Sequence, residues 1–311
     1  MTSADLVPPQ VTVRVPGKVN LELMVGPPRE DGYHPLSTIF HAVSLFDEVT
    51  VATADEWGVG VSGPQSLGVP VDESNLALRA ARLLAEVGHV AEPVHVSIRK
   101  DIPVAGGMAG GSADAAAALV ACDRLWSLGL PRTELEHLAA ELGSDVPFLL
   151  SGGTAMGSGR GEVLAPVLAR GSYHWVFALS EGGLSTPAVY AECDRLRGDR
   201  PVPPPSPSPE MMTALRSGDA RALGEALSND LQAAAISLMP ALGEVLDAGL
   251  EFGALGGVVS GSGPTVAFLA EDNEAAIDLA VSLTASGAVQ DVRRATGPAH
   301  GAHEISAPRP G

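Results

Sequence analysis

Residues 102–115 read Ile-Pro-Val-Ala-Gly-Gly-Met-Ala-Gly-Gly-Ser-Ala-Asp-Ala, and the segments on either side decide what they are. Upstream, Val94, Val96 and Ile98 alternate with polar residues in the manner of a half-buried strand. Downstream, an Ala-rich helical pattern runs from about Ala113 to Trp126. Gly106, Gly107, Gly110 and Gly111 carry no side chain, so backbone N–H groups there can approach an anion closely. Ser112 is placed to open the helix, whose first amides lack an internal partner and whose dipole favours negative charge. Strand, glycine loop, serine and helix together can hold a polyphosphate. The same pattern alone also suits a close-packed turn that binds nothing.

Two common nucleotide fingerprints do not fit. A Walker A loop ends in Gly-Lys-Ser/Thr, whereas Gly110-Gly111-Ser112 has no lysine before its serine. A dinucleotide-binding loop sits in the first strand–helix turn of its domain and is followed by an acidic residue about 20 positions on. Here the loop lies some hundred residues in; Asp123 falls within the helix, and Glu134 opens the next one.

The bulk composition narrows the class. A chain of 311 residues suits two domains of ordinary size. Hydrophobic residues make up 45% but aromatics only 4%, so the cores must be built mainly from Ala, Val and Leu. A formal charge of −18 argues against nucleic acid or an anionic membrane as partner. It leaves room for an anionic small ligand, because local amides and a few cations set the field inside a cleft. Cys122 and Cys193 have neither metal-ligand spacing nor the look of a disulfide scaffold, and Cys122 reads as a small buried residue of the Ala-rich helix. Neither a signal peptide nor a membrane span is evident, so a reducing cytoplasm is the expected location. No histidine pair stands at helical metal-binding spacing, and a zinc site is not expected.

Along the chain, Val11–Val15 and Leu21–Val25 read as two strands around Pro16-Gly-Lys-Val-Asn20. Asp31-Gly32 marks a turn, and strand character resumes from Leu36 to Val51. Ser74 is a candidate cap for a helix through Leu76, Leu83 and Leu84 that ends near Gly88. Thr133-Glu-Leu-Glu136 reads as a capping box for a helix ending by Gly143. A hairpin around Gly157–Gly161 precedes a boundary near 166–172. His174–Leu179 is a strand, and Thr186-Pro187 a helix start. Residues 201–209 form an exposed polyproline-type segment. Helical patterns follow around 210–227 and 239–249, then strand, glycine turn and strand over 256–269. A helix near 273–285 and a strand near 288–294 close the fold, and the tail after Gly297 is expected to be disordered.

Three spaced segments belong together: Pro16-Gly-Lys-Val-Asn20, the glycine loop ending at Ser112, and Ser260-Gly-Ser-Gly-Pro-Thr265. In this order, over roughly residues 11–294, they resemble the three motifs of the GHMP kinase superfamily, which phosphorylates small alcohols and acids with ATP. Within it, Lys18-Val-Asn-Leu-Glu-Leu23, Asp31-Gly-Tyr-His34, Ser37-Thr-Ile-Phe40 and Leu142-Gly-Ser-Asp-Val-Pro-Phe148 resemble one branch. That branch phosphorylates the 2-hydroxyl of a cytidine-diphosphate-linked alcohol in the non-mevalonate isoprenoid pathway. Met108-Ala109 and Ala113 depart from the usual loop, small changes in a site made by backbone.

The resemblance implies an α+β fold of two domains with the active site in the cleft between them. Residues 1–168 would form a ribosomal-protein-S5-domain-2-like unit, 169–297 a ferredoxin-like α/β unit, and 298–311 a disordered tail. It implies Asp145 as acceptor of the hydroxyl proton and Lys18 beside it, with ATP and Mg2+ as cofactors. ATP would be held by Pro103, Val104, Ala105, Gly106, Gly107, Met108, Ala109, Gly110, Gly111, Ser112 and Ala113, with Asn75 on the adenine side. Ser112 is also the candidate magnesium ligand. Asn20, Tyr33, His34, Phe40, Thr186, Tyr190, Gly261 and Ser262 would contact the acceptor, with His34 on the cytosine edge. The expected assembly is a monomer or weak homodimer. Alternatives are another GHMP kinase of homoserine or mevalonate type, a catalytically inactive nucleotide-binding protein on the same scaffold and, more distantly, a dinucleotide-dependent oxidoreductase.

Overall fold

The computed structural model describes residues 8–104, 106–180 and 182–305. The two strands expected at 11–15 and 21–25 are one, β1 (Gln10–Val25), paired antiparallel with β2 (Leu36–Thr53). Its register shifts twice, between Pro16 and Gly17 and between Asn20 and Glu22. These irregularities bracket Lys18 and Asn20, and bulges of this kind re-aim side chains at a site. β3 (Gly58–Ser62), not anticipated from sequence, and β4 (Val94–Arg99) extend the sheet beyond β2. The hairpin β5 (Thr154–Gly159) and β6 (Val163–Pro166) attaches to the first half of β2.

Four helices accompany this sheet: α1 (Leu76–Val87), α2 (Gly110–Leu125), α3 (Arg132–Leu142) and α4 (Val146–Ser151). α2 is nearly surrounded. Ala113, Ala115, Ala116, Ala117, Ala118 and Ala121 are all fully buried, and methyl-sized side chains let β1, β2, α1 and α4 approach it closely. This is how a chain so poor in aromatics fills its core.

After β7 (Tyr173–Leu179) come α5 (Thr186–Arg197), α6 (Pro209–Ser217), α7 (Ala220–Ala226), the short β8 (Ser228–Asn229), α8 (Gln232–Leu238) and α9 (Ala241–Glu251). β9 (Gly256–Val259), β10 (Val266–Ala270), α10 (Asn273–Ser286), β11 (Asp291–Gly297) and β12 (His303–Ile305) complete the chain. β7, β9, β10 and β11 make an antiparallel sheet in the order β11-β7-β10-β9. Its strand–helix–strand–strand–helix–strand course is ferredoxin-like, with extra helices in the first crossover. β8 runs parallel to β1 through Glu22↔Ser228 and Leu23↔Asn229, so the second half of the chain completes the first sheet. Tyr173, Trp175 and Phe177 of β7 pack into the core of the first sheet, while Leu23 and Val25 of β1 pack into that of the second.

Several local expectations are corrected. Asn75, not Ser74, caps α1, its Oδ1 accepting from the amides of Ala77 and Leu78. α3 starts after Pro131, so Thr133 lies inside it and caps nothing. Ser185 stands at the N-cap of α5 and Thr186 is already helical. The pattern at 210–227 breaks at Gly218-Asp219, where Asp219 caps α7. The proline-rich segment is free of helix and strand up to Ser208, which caps α6. The tail expected to be disordered from 298 is ordered to Ile305: β12 pairs with β1, Gly152 bridges His300, and the Ala299 amide donates to Ala42 O. Backbone hydrogen bonds hold this Gly- and Ala-rich stretch, so no hydrophobic pattern announces it. Residues 306–311 lie outside the described residues. Among the described residues no helix is long and apolar enough to cross a membrane.

Candidate active site

The glycine loop runs from the end of β4 into α2 along one wall of a cleft of about 840 Å3. Ala109 is the N-cap of α2 with φ 60, so Ser112 is the third residue of the helix rather than its cap. The first helical amides and the Ser112 hydroxyl therefore share one end of the cleft. A Cβ on Gly106 would meet Thr265 Oγ1 at 2.5 Å, and one on Gly107 would overlap the carbonyl of Ser260. A Cβ on Gly110 would stand 3.0 Å from Lys100 Nζ. Packing alone thus demands three of these glycines. Gly111 differs, since a Cβ there would meet only Leu76 Cδ1 at 3.7 Å, an ordinary contact. The third motif braces the loop: Ser260 Oγ donates to Gly107 O at 3.1 Å. Lys18 N donates to Met108 O at 3.2 Å and ties the bulged part of β1 to the same loop.

Pro103, Gly106, Gly107, Ala109, Gly110, Gly111 and Ser112 face the cleft; the side chains of Met108 and Ala113 are buried beneath it, and Val104 is partly exposed. Ala105 lies outside the described residues. The Asn75 side chain is committed elsewhere, its Oδ1 to the cap and its Nδ2 to Pro70 O at 2.8 Å. The neighbouring Leu76 is what reaches the cleft.

Beneath the loop lies an ion cluster that sequence reading passed over. Lys100 Nζ donates to Asp47 Oδ2 and, at 2.8 Å, to Asp114 Oδ2, with all three residues buried. Asp47 Oδ1 also accepts the amides of Asp101 and Ile102, where the loop begins. Burial pushes the Asp114 carboxyl well up, while the two carboxylates hold the Lys100 ammonium in its charged form despite burial.

Opposite the loop, Asp145 occupies the N-cap position of α4, but its side chain makes no cap hydrogen bond. It stands 4.0 Å from Lys18 Nζ, which is otherwise almost wholly enclosed. Burial lowers the Lys18 pKa, and Asp145 opposes that shift. Lys18 Nζ donates to Asn20 Oδ1 at 2.6 Å, Asn20 Nδ2 to Thr38 Oγ1 at 2.7 Å, and Thr38 Oγ1 to Glu22 O at 2.8 Å. This relay fixes the amide of Asn20 and leaves the ammonium facing Asp145. Thr38 was not singled out from sequence, although it lies in the Ser37–Phe40 run.

The far wall joins both halves of the chain. Phe40 is buried and stacks on Phe148 at 4.9 Å, with Lys18 Nζ 5.9 Å above its ring. Tyr33 is exposed at the rim under the Arg160 guanidinium, 5.1 Å away. His34 is buried, 5.2 Å from the ring of Tyr190, and its Nε2 lies 3.0 and 3.1 Å from the two oxygens of Asp194. Burial first, then the charge of Asp145, pushes the Tyr190 hydroxyl up to about 12. Thr186 Oγ1 and Ser262 Oγ meet at 2.9 Å, and Asn229 Nδ2 donates to Gly261 O at 2.7 Å. Lys18, Asn20, His34, Tyr190, Gly261 and Ser262 therefore surround one space with the loop. Arg160, Asp194 and Asn229 are additions, each an ordinary charged or polar residue on a loop, helix or short strand with no local signature.

A glycine loop that opens a helix on the cleft wall, a lysine–aspartate pair across from it and a second wall from a ferredoxin-like unit define a small-molecule phosphotransferase. Residues 75–153 match the GHMP kinases N terminal domain and residues 211–289 the GHMP kinases C terminal domain. The chain belongs to the GHMP kinases, which take phosphate from ATP. It is 58% identical over 311 residues to the 4-diphosphocytidyl-2-C-methyl-D-erythritol kinase of Mycolicibacterium gilvum (strain PYR-GCK), covering 99% of this chain and 97% of that one. A crystal structure of 4-(cytidine 5'-diphospho)-2C-methyl-D-erythritol kinase superposes with a TM-score of 0.75 and 34% identity, over 91% of this chain and 98% of that one. The mevalonate kinase of L. major reaches a TM-score of 0.74 over 91% and 94% of the two chains, but at 17% identity this likeness is one of fold alone.

Proposed function

We propose that the chain transfers the γ-phosphoryl group of ATP to the 2-hydroxyl of 4-diphosphocytidyl-2-C-methyl-D-erythritol, giving the 2-phosphate and ADP. The observation that carries the reading is the 4.0 Å Lys18–Asp145 pair, set across one cleft from the glycine loop. The identity shared with named kinases of that substrate selects the acceptor. A division of the chain near residue 168 would make the cleft an inter-domain one.

Phosphoryl transfer needs positioning and charge neutralisation more than covalent help. The amides of Gly107 to Ser112 would cradle the phosphates at the positive end of α2. Asp145 would take the proton of the attacking hydroxyl. Proton loss is late in a loose transition state, so its orientation matters more than its basicity. Lys18 would set a positive charge beside Asp145 and stabilise charge on the acceptor oxygen. His34, Tyr33 and Tyr190 would hold the base.

The residues fit a magnesium ion only as a partner of the phosphates. Among the described residues no three His, Cys, Asp or Glu side chains gather as a metal cluster. Ser112 Oγ faces the cleft without a hydrogen bond among the described residues and would be the chain's own ligand, which suits an ion that keeps waters and phosphate oxygens. When bound it would neutralise charge on the phosphates.

The reading is tested by offering ATP with the cytidylyl acceptor, mevalonate or homoserine and following products by phosphorus NMR. We expect a new phosphomonoester only with the cytidylyl acceptor. Turnover of mevalonate or homoserine alone would reject the assignment, and ATP binding without any product would revive the inactive-protein alternative.

A further inference from the structure

We propose that Asp194 sets the base selectivity of the acceptor pocket by fixing the ring proton of His34 on Nε2. The proposal rests on the cytidylyl substrate argued above and adds the group that tells cytosine from uracil.

His34 comes from the turn before β2, and Asp194 from α5 in the other half of the chain. Both oxygens of Asp194 lie within hydrogen-bond distance of Nε2, at 3.0 and 3.1 Å. The cations nearest in sequence are engaged elsewhere: Arg195 with Glu192 and Arg197 with Asp230. His34 is thus the one side chain bonded to Asp194 among the described residues. A carboxylate at neutral pH only accepts, so Nε2 must carry the proton. In the neutral ring Nδ1 is then a bare acceptor. Nδ1 has no partner among the described residues, and His34 is part of the cleft wall.

The pairing edge of cytosine presents two acceptors, N3 and O2, and one donor, the 4-amino group. An acceptor at Nδ1 can bond only that amino group. In uracil the same place holds a carbonyl oxygen, which would face Nδ1 acceptor to acceptor and leave both unsatisfied. Asp194 touches no substrate in this scheme; it is a positioning residue that acts through His34.

The tautomer is read directly from the ring nitrogen shifts of 15N-histidine-labelled protein at mildly alkaline pH. We expect His34 protonated on Nε2 and bare on Nδ1. In Asp194→Ala the fixed tautomer is lost. The ratio of kcat/KM for cytidine- over uridine-diphosphate-linked acceptor should fall on the order of tenfold. The fall should come through the KM of the acceptor, with the KM of ATP unchanged. Asp194→Asn, whose amide N–H can donate to Nε2 and drive the proton to Nδ1, should lower the ratio further. A wild-type His34 protonated on Nδ1, or an unaltered ratio in folded Asp194→Ala, overturns the proposal. Wild-type protein that leaves the cytidylyl acceptor untouched overturns the function beneath it as well.

Discussion

Gly111 separates the two reasons a loop can be rich in glycine. Gly106, Gly107 and Gly110 are demanded by their neighbours, since a methyl group on any of them would press on Thr265, Ser260 or Lys100. Gly111 has room for a Cβ in the protein and a helical backbone as the second residue of α2, so the space it leaves serves whatever enters the cleft. Gly111→Ala should fold as well as the wild type, or gain up to about 1 kcal/mol from helix propensity. It should at the same time raise the KM for ATP. Thermal melts and steady-state kinetics on the same sample check this; an unchanged KM would mean that the phosphates do not approach that amide. Gly107→Ala, strained at φ +71 and crowded by the Ser260 carbonyl, should instead lose stability.

At the scale of elements, the loop is held from beneath by Lys100 at the end of β4, Asp47 of β2 and Asp114 in α2. Removing the cation would strand two buried carboxylates. Lys100→Met should therefore cost about 3–5 kcal/mol, measured as a shift of the urea midpoint at neutral pH. A shift under about 1 kcal/mol would show the cluster to be dispensable. Strands and helices were legible in order from Val94 to Trp126 and from Gly256 to Leu269, where period-two and 3.6-residue patterns are strong, whereas the short elements β3, α4, β8, α8 and β12 were not read. Helix starts were less legible. Ser74, Thr133 and Thr186 each stood within a few residues of a true start and were read as caps, because residue type does not reveal which residue leaves helical φ and ψ. The ordered stretch 298–305 was illegible for a different reason: backbone groups of β1, Ala42 and Leu149 hold it, and none of these is its sequence neighbour.

Across the whole molecule, the two sheets share no strand and are locked by side chains that cross between them, β7 into the core of the first sheet and β1 into that of the second. His41 of β2 lies at that junction, edge-on to Tyr173 and beside Trp175. Its Nδ1 meets Thr154 Oγ1 at 2.8 Å, and its Nε2 has no hydrogen-bond partner among the described residues. Burial pushes its imidazole down to about 3, well below the value of an unfolded histidine. The unfolded chain therefore binds a proton that the folded chain refuses between about pH 6.5 and 3, and stability falls as pH drops through that window. By pH 5 the loss should be about 2 kcal/mol, and His41→Gln should escape it. Urea midpoints at pH 7 and pH 5 for both proteins measure the difference; parallel losses would remove His41 as the cause. The site was legible to the extent that its residues lie in runs: Lys18 and Asn20, the loop, Asp145, His34 and the third motif all stand in distinctive strings. Arg160, Asp194 and Asn229 were not, because only the closure of one half of the chain on the other gives them partners. The division of labour between the loop and the lysine–aspartate pair is the claim most open to direct test, by single-turnover phosphoryl transfer in Asp145→Asn with ATP affinity measured calorimetrically on the same protein. Transfer should slow by about 10²–10⁴-fold while ATP binds as in the wild type; transfer at the wild-type rate would contradict the account.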